Sequence, residues 1–414
     1  MSTVFLLLSS LYALLAFNLY HPNFRNSKGS VLSFVFGVIT GELGPHVIFW
    51  QSVLVAIFVL AGGVTGISGT IGFLICTTSW GFIGLFYLDS ARAEKEVAFG
   101  LEEGLGKRFQ SQINSEFKTQ FGVEPDRQLI RYPIGQKDPE VELIRDIGFG
   151  DFNQRLDIRR PLATSIKAQM PVLLHIHGGA WTYGRKDDGQ GLPLMNHMAK
   201  RGWICVSSSY RLSPRATFPD HIVDCKQAIV WIKEEIHRYG GNKDFIIVTG
   251  GSAGGHLSSL LALSPDHKEF QPGFSNKDTS VQGAVSFYGV YDFTDKLNHF
   301  KNHGAARILQ SSIFKLDMGA NKQIFHEASP IFHISKKAPP FMVVQGTHDT
   351  LVPVESSRAF SKALRKKSTQ KVAYIELKGA QHAFDAIPSP RSEYVKFGVE
   401  KFLVWAYSKY LKSL

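Results

Sequence analysis

The chain has 414 residues, enough for one large globular domain and an appended region, and its apolar fraction of 44% is ordinary for a soluble protein. A formal net charge of +11 suits either nucleic acid or an anionic membrane surface. No helix-turn-helix, zinc-finger or aromatic RNA-binding pattern accompanies the basic residues, so nucleic acid is set aside as a partner. Cys76, Cys205 and Cys225 show neither C-x-x-C nor Cys/His metal spacing. They argue against a disulfide framework and are expected to be buried free thiols.

The charge is unevenly placed. From Met1 to Leu88 the only formally charged side chains are Arg25, Lys28 and Glu42. A segment so poor in charge is more easily solvated by lipid than by water, and it marks a boundary near residue 88. Three apolar stretches lie within it, Val4–Tyr20, Val31–Trp50 and Ser52–Leu88. The first has neither the positive start nor the small-residue cleavage site of a secretory signal and reads as an uncleaved anchor. The second is interrupted at Gly41–His46. The third is long enough for two helices broken around Gly62-Gly63 and Gly66–Gly69. Two to four transmembrane spans are expected in region 1–88, making a multi-pass membrane protein. Arg25 and Lys28 favour a cytoplasmic loop after the first span, but the mixed charges of Asp89–Arg108 leave the side of the remaining domain open.

Region 89–140 reads as a helical linker. An amphipathic helix from Ala91 to about Phe117, together with the insertion Asp292–Lys337, is a candidate lid. From residue 141 to 414 the pattern alternates. Short apolar runs occur at Glu142–Ile147, Arg155–Ile158, Val172–His177, Ile204–Tyr210, Phe245–Thr249, Val281–Tyr288, Phe341–Gln345 and Val372–Leu377. Helix-period segments intervene near Leu194–Lys200, Pro219–Tyr239, Gly254–Leu263, Glu355–Leu364 and Glu393–Tyr410. Strands alternating with helices predict an α/β fold, a mostly parallel central sheet with helices on both faces. The last helix, with Val395, Phe402, Trp405 and Leu411, is expected to close this domain.

The chemistry concentrates at four places. Phe245–Thr249 runs directly into Gly250-Gly251-Ser252-Ala253-Gly254, a G-x-S-x-G pattern in its required setting of strand, sharp turn and helix. Glycines at 250 and 254 let strand and helix approach around a strained Ser252, whose hydroxyl is then presented at the edge of the sheet. Upstream, His177-Gly178-Gly179-Ala180-Trp181 ends another apolar strand. The backbone N–H groups of Gly178, Gly179 and Ala180, with that of Ala253, are candidate oxyanion donors. His175 and His177 share a strand face, but no third ligand has suitable spacing, so no metal site is assigned. His382, in a turn after the last strand, is the candidate base for Ser252. Asp349, just past the preceding strand, is the candidate orienting carboxylate, with Asp385 and Glu376 as rivals. His256 lies one helical turn beyond Ser252 and reads as scaffold. Arg211 with Asp220 or Asp224 reads as a supporting ion pair. In this assignment His382 takes the Ser252 proton during attack and returns it to the leaving group, while Asp349 holds the imidazole.

On these motifs the region from about Asp151 onward resembles the hormone-sensitive-lipase-like and carboxylesterase branch of the α/β-hydrolases. With its apolar N-terminus the whole chain is similar to bacterial membrane-associated esterase/lipase proteins. The resemblance rests on His177–Trp181, Tyr210–Pro214, Gly250–Gly254, Asp349 and His382. It implies the α/β-hydrolase fold, a Ser252–Asp349–His382 triad with oxyanion donors at Gly179, Ala180 and Ala253, no cofactor, and hydrolysis of short- to medium-chain acyl esters, small or lipidic. Two departures stand out: Ala180 replaces a usual third glycine, and Gly251 replaces the more common Asp before serine. Both also resemble feruloyl-esterase-like and kynurenine-formamidase-like relatives, which leaves amide or formamide substrates open. A non-catalytic binding module on the same fold is the remaining alternative.

Overall fold

Strands buried on both faces need unbroken apolar runs, and successive side chains must then serve two different cores. The strand Phe341–Gly346 does this: Phe341 and Val343 join one buried cluster, and Met342 and Val344 join the other. A computed structural model of the chain describes residues 1–118, 124–133, 138–162, 169–296 and 312–414. It contains an eight-stranded sheet made of β1 (Val141–Phe149), β2 (Gln154–Pro161), β3 (Met170–Ile176), β4 (Ile204–Ser208), β5 (Gly241–Gly251), β6 (Gly283–Phe287), β7 (Phe341–Gly346) and β8 (Val372–Leu377). Their order is β1-β2-β4-β3-β5-β6-β7-β8. Only β1–β2 and β2–β4 are antiparallel pairs. From β4 to β8 every neighbour is parallel. The predicted mostly parallel sheet is therefore present, with all eight apolar runs in it.

The chain begins with four helices, α1 (Ser2–Tyr20), α2 (Ser27–Glu42), α3 (Gly44–Leu60) and α4 (Gly66–Asp89). Among the described residues, α1 and the helix beginning at Gly66 are long and apolar enough to cross a membrane. The α2–α3 pair, bent by 92° at its break, raises that number to three if it counts as one span. The bend falls within the predicted Gly41–His46 interruption, and α4 starts within the predicted glycine break. Small residues let α1 and α4 touch: a Cβ on Gly72 would lie 3.0 Å from the Phe5 ring and 3.1 Å from Ser9 Oγ. Cys76 is buried beside them as a free thiol, and Cys205 and Cys225 are buried and free as well.

Helix α5 (Ala93–Leu105) corrects the expected lid. Val97, Leu101 and Leu105 are buried in the same cluster as β8, and there is no room for side chains at the contact. A Cβ on Gly100 would stand 2.4 Å from the Tyr374 carbonyl, and one on Gly104 2.4 Å from Ala373 Cα. This stripe belongs to the sheet's covering layer. Of the other lid candidate, residues 297–311 lie outside the described residues. Ile313, Phe314 and Phe325 of the same insertion are buried in the main core.

The α5 face of the sheet is completed by α6 (Leu192–Lys200) and, later in the chain, by α10 (Pro390–Leu411), whose Val395, Val399 and Phe402 are buried there. The opposite face is covered by α7 (Asp220–Glu235), α8 (Ala253–Leu263) and α9 (Val354–Lys367). The N-terminal helices rest on the loops that follow β7 and β8. Thr350 Oγ1 donates to the Ser30 carbonyl at 2.8 Å, and Ser389 Oγ donates to Glu42 Oε2 at 2.6 Å. Arg391 forms a fully buried ion pair with the same Glu42.

Candidate active site

β5 ends at Gly251 and α8 begins at Ala253, which leaves Ser252 alone on the bend with φ 57° and ψ −117°. Such a conformation costs of order 1–3 kcal/mol for a residue with a side chain and persists only where the surroundings enforce it. Here a Cβ on Gly250 would be 2.4 Å from the Ile176 carbonyl oxygen, and one on Gly254 would be 2.0 Å from the same atom. Strand β3 thus presses on both sides of the bend. The Ser252 N–H is tied to the Phe287 carbonyl at 3.0 Å.

Asp349 sits in the turn after β7, fully buried and saturated with donors. Its Oδ1 accepts the N–H groups of Leu351 (2.9 Å) and Val352 (2.8 Å). Its Oδ2 accepts Gln345 Nε2 at 2.9 Å and His382 Nδ1 at 2.7 Å. His382, in the turn after β8, is held further by the 2.9 Å bond from its N–H to Gln381 Oε1 and by ring contacts with Phe34 and Tyr288. The rivals are engaged elsewhere. Glu376 binds Arg358 and the Tyr374 hydroxyl. Asp385 accepts a hydrogen bond from the Tyr288 hydroxyl, and burial raises its carboxyl above the usual range.

The other histidines have scaffold roles. His256 accepts the Trp181 Nε1 proton on Nδ1 at 3.2 Å and donates from Nε2 to the Ala328 carbonyl at 2.7 Å. Burial pushes it down to about 3, so it stays neutral. His177 Nδ1 pairs with the Gly178 carbonyl at 2.7 Å, and its ring stacks on Tyr210. Burial also lowers His175, to about 3. Among the described residues no group of three or more His, Cys, Asp or Glu is placed to hold a metal ion. Arg211 grips Asp224 through Nε (3.0 Å) and an Nη (2.8 Å) and reaches Asp220 at 3.1 Å, as the ion-pair reading requires.

The turn after β3 differs from expectation in one respect. The Gly178 N–H donates to Gln190 Oε1 at 2.6 Å and is thereby occupied, so Gly178 is removed from the donor set. Gly179, Ala180 and Trp181 all have positive φ, 107°, 53° and 58°. The N–H groups of Gly179, Ala180 and Ala253 have no hydrogen-bond partner among the described residues. Ala253 is also the first residue of α8, where the helix end favours negative charge. Gln190 links this turn to Tyr288, whose hydroxyl stands where a side chain at position 251 would begin: a Cβ on Gly251 would be 2.7 Å from that oxygen. Tyr288 and Gln190 thus fill the space that the more usual Asp would need.

Ser252, His382 and residues Gly178–Ala180 line one cavity of about 870 Å³. One part of its wall is unexpected, since Lys28, Val31, Leu32 and Phe34 of α2 form it. An imidazole anchored through Nδ1 keeps Nε2 available for a proton. The cavity that this ring lines is also lined by the Ser252 hydroxyl on its strained bend and by the Gly179–Ala180 turn, groups of the kind acyl transfer uses. The residues missed from sequence are Gln190, Tyr288, Gln345, Gln381 and the α2 wall. Gln345 and Gln381 are approachable from sequence, since each lies within four residues of a candidate, Asp349 or His382. The others are distant in sequence and gave no signal.

Comparison with known proteins bears on the family and the class of reaction. The BD-FAE family model matches residues 156–364. The chain is 39% identical to the probable carboxylic ester hydrolase LipM of Mycobacterium tuberculosis over 97% of this chain and 93% of that protein. It is 46% identical to the esterase LipQ of the same organism, over 63% of this chain and 62% of the relative. Among solved structures, the propionate-bound esterase Est2 of the planctomycete Thermogutta terrifontis superposes with a TM-score of 0.53 at 23% identity, covering 64% of this chain and 94% of that one, and supports the fold. Near-full-length likeness on a mostly parallel sheet places this chain in the carboxylesterase family of the α/β-hydrolases, as a carboxylesterase-type hydrolase.

Proposed function

We propose that the protein is a serine esterase that cleaves short- to medium-chain acyl esters through Ser252, His382 and Asp349. His382 Nε2 removes the hydroxyl proton as Ser252 Oγ attacks the ester carbon. The N–H groups of Gly179, Ala180 and Ala253 receive the oxyanion, each such donor being worth roughly 3–4 kcal/mol in the transition state. The proton passes to the departing alkoxide, an acyl-serine remains, and water activated by the same imidazole releases the acid. Asp349 keeps the Nδ1 proton in place and stabilises the imidazolium. The observation that carries this reading is the 2.7 Å bond from His382 Nδ1 to a buried carboxylate, on a ring that shares a cavity with Ser252.

In the same reading residues 1–88 hold the enzyme in a membrane through α1–α4, and residues 141–414 form the catalytic domain. Region 89–140 joins them and lends α5 to the sheet. The test is Ser252→Ala in the full chain. Hydrolysis of p-nitrophenyl butyrate and labelling by a fluorophosphonate are both expected to disappear, with the thermal unfolding midpoint preserved. Turnover retained in that variant rejects Ser252 as nucleophile.

A further inference from the structure

The α2 wall is the feature that neither the triad nor anchoring explains. An anchor helix needs no defined contact with catalytic loops, yet α2 is fastened to the loop after β7 through Ser30 and to the region after β8 through Glu42. Between those points Phe34 lies edge-on to the His382 ring at 5.7 Å. Val31 and Leu32 line the cavity while remaining 44% and 57% exposed, which puts them at its mouth. Leu32 shares a helix face with Val35, Phe36 and Ile39, three, four and seven positions on, and all three are exposed apolar side chains. On the side away from Lys28, which lines the cavity one turn before Leu32, the mouth therefore opens onto an apolar surface. Contiguous apolar surface of this kind requires a cover, and beside an apolar helix bundle that cover is lipid.

We propose that α2 gauges the acyl chain: the chain leaves Ser252 along Phe34, Val31 and Leu32 and continues over the outer face of α2 into the bilayer core. The substrate is then an acyl ester already dissolved in the membrane and drawn in sideways, its chain lying along α2. This rests on the serine-esterase reading above, and it makes α2 a specificity element of that site.

The test uses the full-length enzyme in phospholipid–detergent micelles, with p-nitrophenyl acetate, butyrate, octanoate and dodecanoate as probes. Active enzyme is counted by fluorophosphonate labelling, so partial misfolding of a variant does not enter the result. Leu32→Trp is expected to lower the dodecanoate-to-acetate ratio of kcat/KM at least tenfold. Leu32→Ala, a smaller change at an exposed position, should shift the same ratio at least threefold. Leu7→Trp, on the exposed face of α1, should leave the ratio unchanged. Ratios unmoved in both Leu32 variants overturn the gauge while leaving the esterase reading intact. Failure of the unmodified enzyme to hydrolyse any of the four esters overturns both.

Discussion

Asp349→Asn tests the proposed mechanism most sharply, because the four donors around that carboxylate dictate where the new amide must point. The Leu351 and Val352 N–H groups are fixed by the turn, and both donate to Oδ1. An asparagine satisfies them only by placing its single oxygen there. Its NH₂ then occupies the Oδ2 position, facing Gln345 Nε2, which retains the Val352 carbonyl as an acceptor at 3.1 Å, and facing His382 Nδ1. A donor now meets a donor, so the imidazole relaxes by moving its proton from Nδ1 to Nε2. The nitrogen that must accept the serine proton is then already protonated. The expected loss in kcat/KM is about 10⁴-fold, the size typical of a triad carboxylate replaced by its amide. At about 1.4 kcal/mol per tenfold this is about 5 kcal/mol of transition-state stabilisation. Initial rates on p-nitrophenyl butyrate in detergent micelles measure it, with thermal unfolding alongside to confirm the fold. A folded Asn variant within tenfold of the parent enzyme would refute the orienting role of Asp349.

Two further outcomes concern stability. Glu42→Gln removes the charge paired with the buried Arg391 guanidinium, and breaking such a pair typically costs about 3–5 kcal/mol; a drop in unfolding midpoint should appear, and most of it should return in the Glu42→Leu/Arg391→Met double variant. Acid should weaken the fold through buried neutral histidines: burial lowers His175 and His256 to about 3 and His221 to about 4. Their stabilising effect is complete above the unfolded value near 6.5 and is lost as pH falls from there through the folded values, because the unfolded chain binds protons that the folded one refuses. At pH 5 the loss is about 2 kcal/mol for each group, and an unfolding midpoint equal at pH 5 and pH 7.5 would contradict it.

Much of this protein is written locally. The central strands are legible because a strand covered on both faces must be largely apolar, as Phe341–Val344 of β7 are. Ser252 is legible because close approach of β3 tolerates only glycine at 250 and 254. Asp349 and His382 stand out because each follows a strand of a parallel sheet, where all such turns gather at one edge. Tertiary packing alone decided the rest. Whether the Gly178 N–H is free depends on Gln190 reaching back across twelve residues, and whether Ala91–Phe117 covers the cavity or the sheet depends on a fit of Gly100 and Gly104 to β8. The position of α2 is the clearest case. Apolar side chains are required equally for facing lipid and for walling a cavity, so hydrophobicity carries no information about which of the two Val31, Leu32 and Phe34 do. Contacts of Ser30 with Thr350 and of Glu42 with Ser389 and Arg391, more than 300 residues apart in sequence, bring that helix over His382.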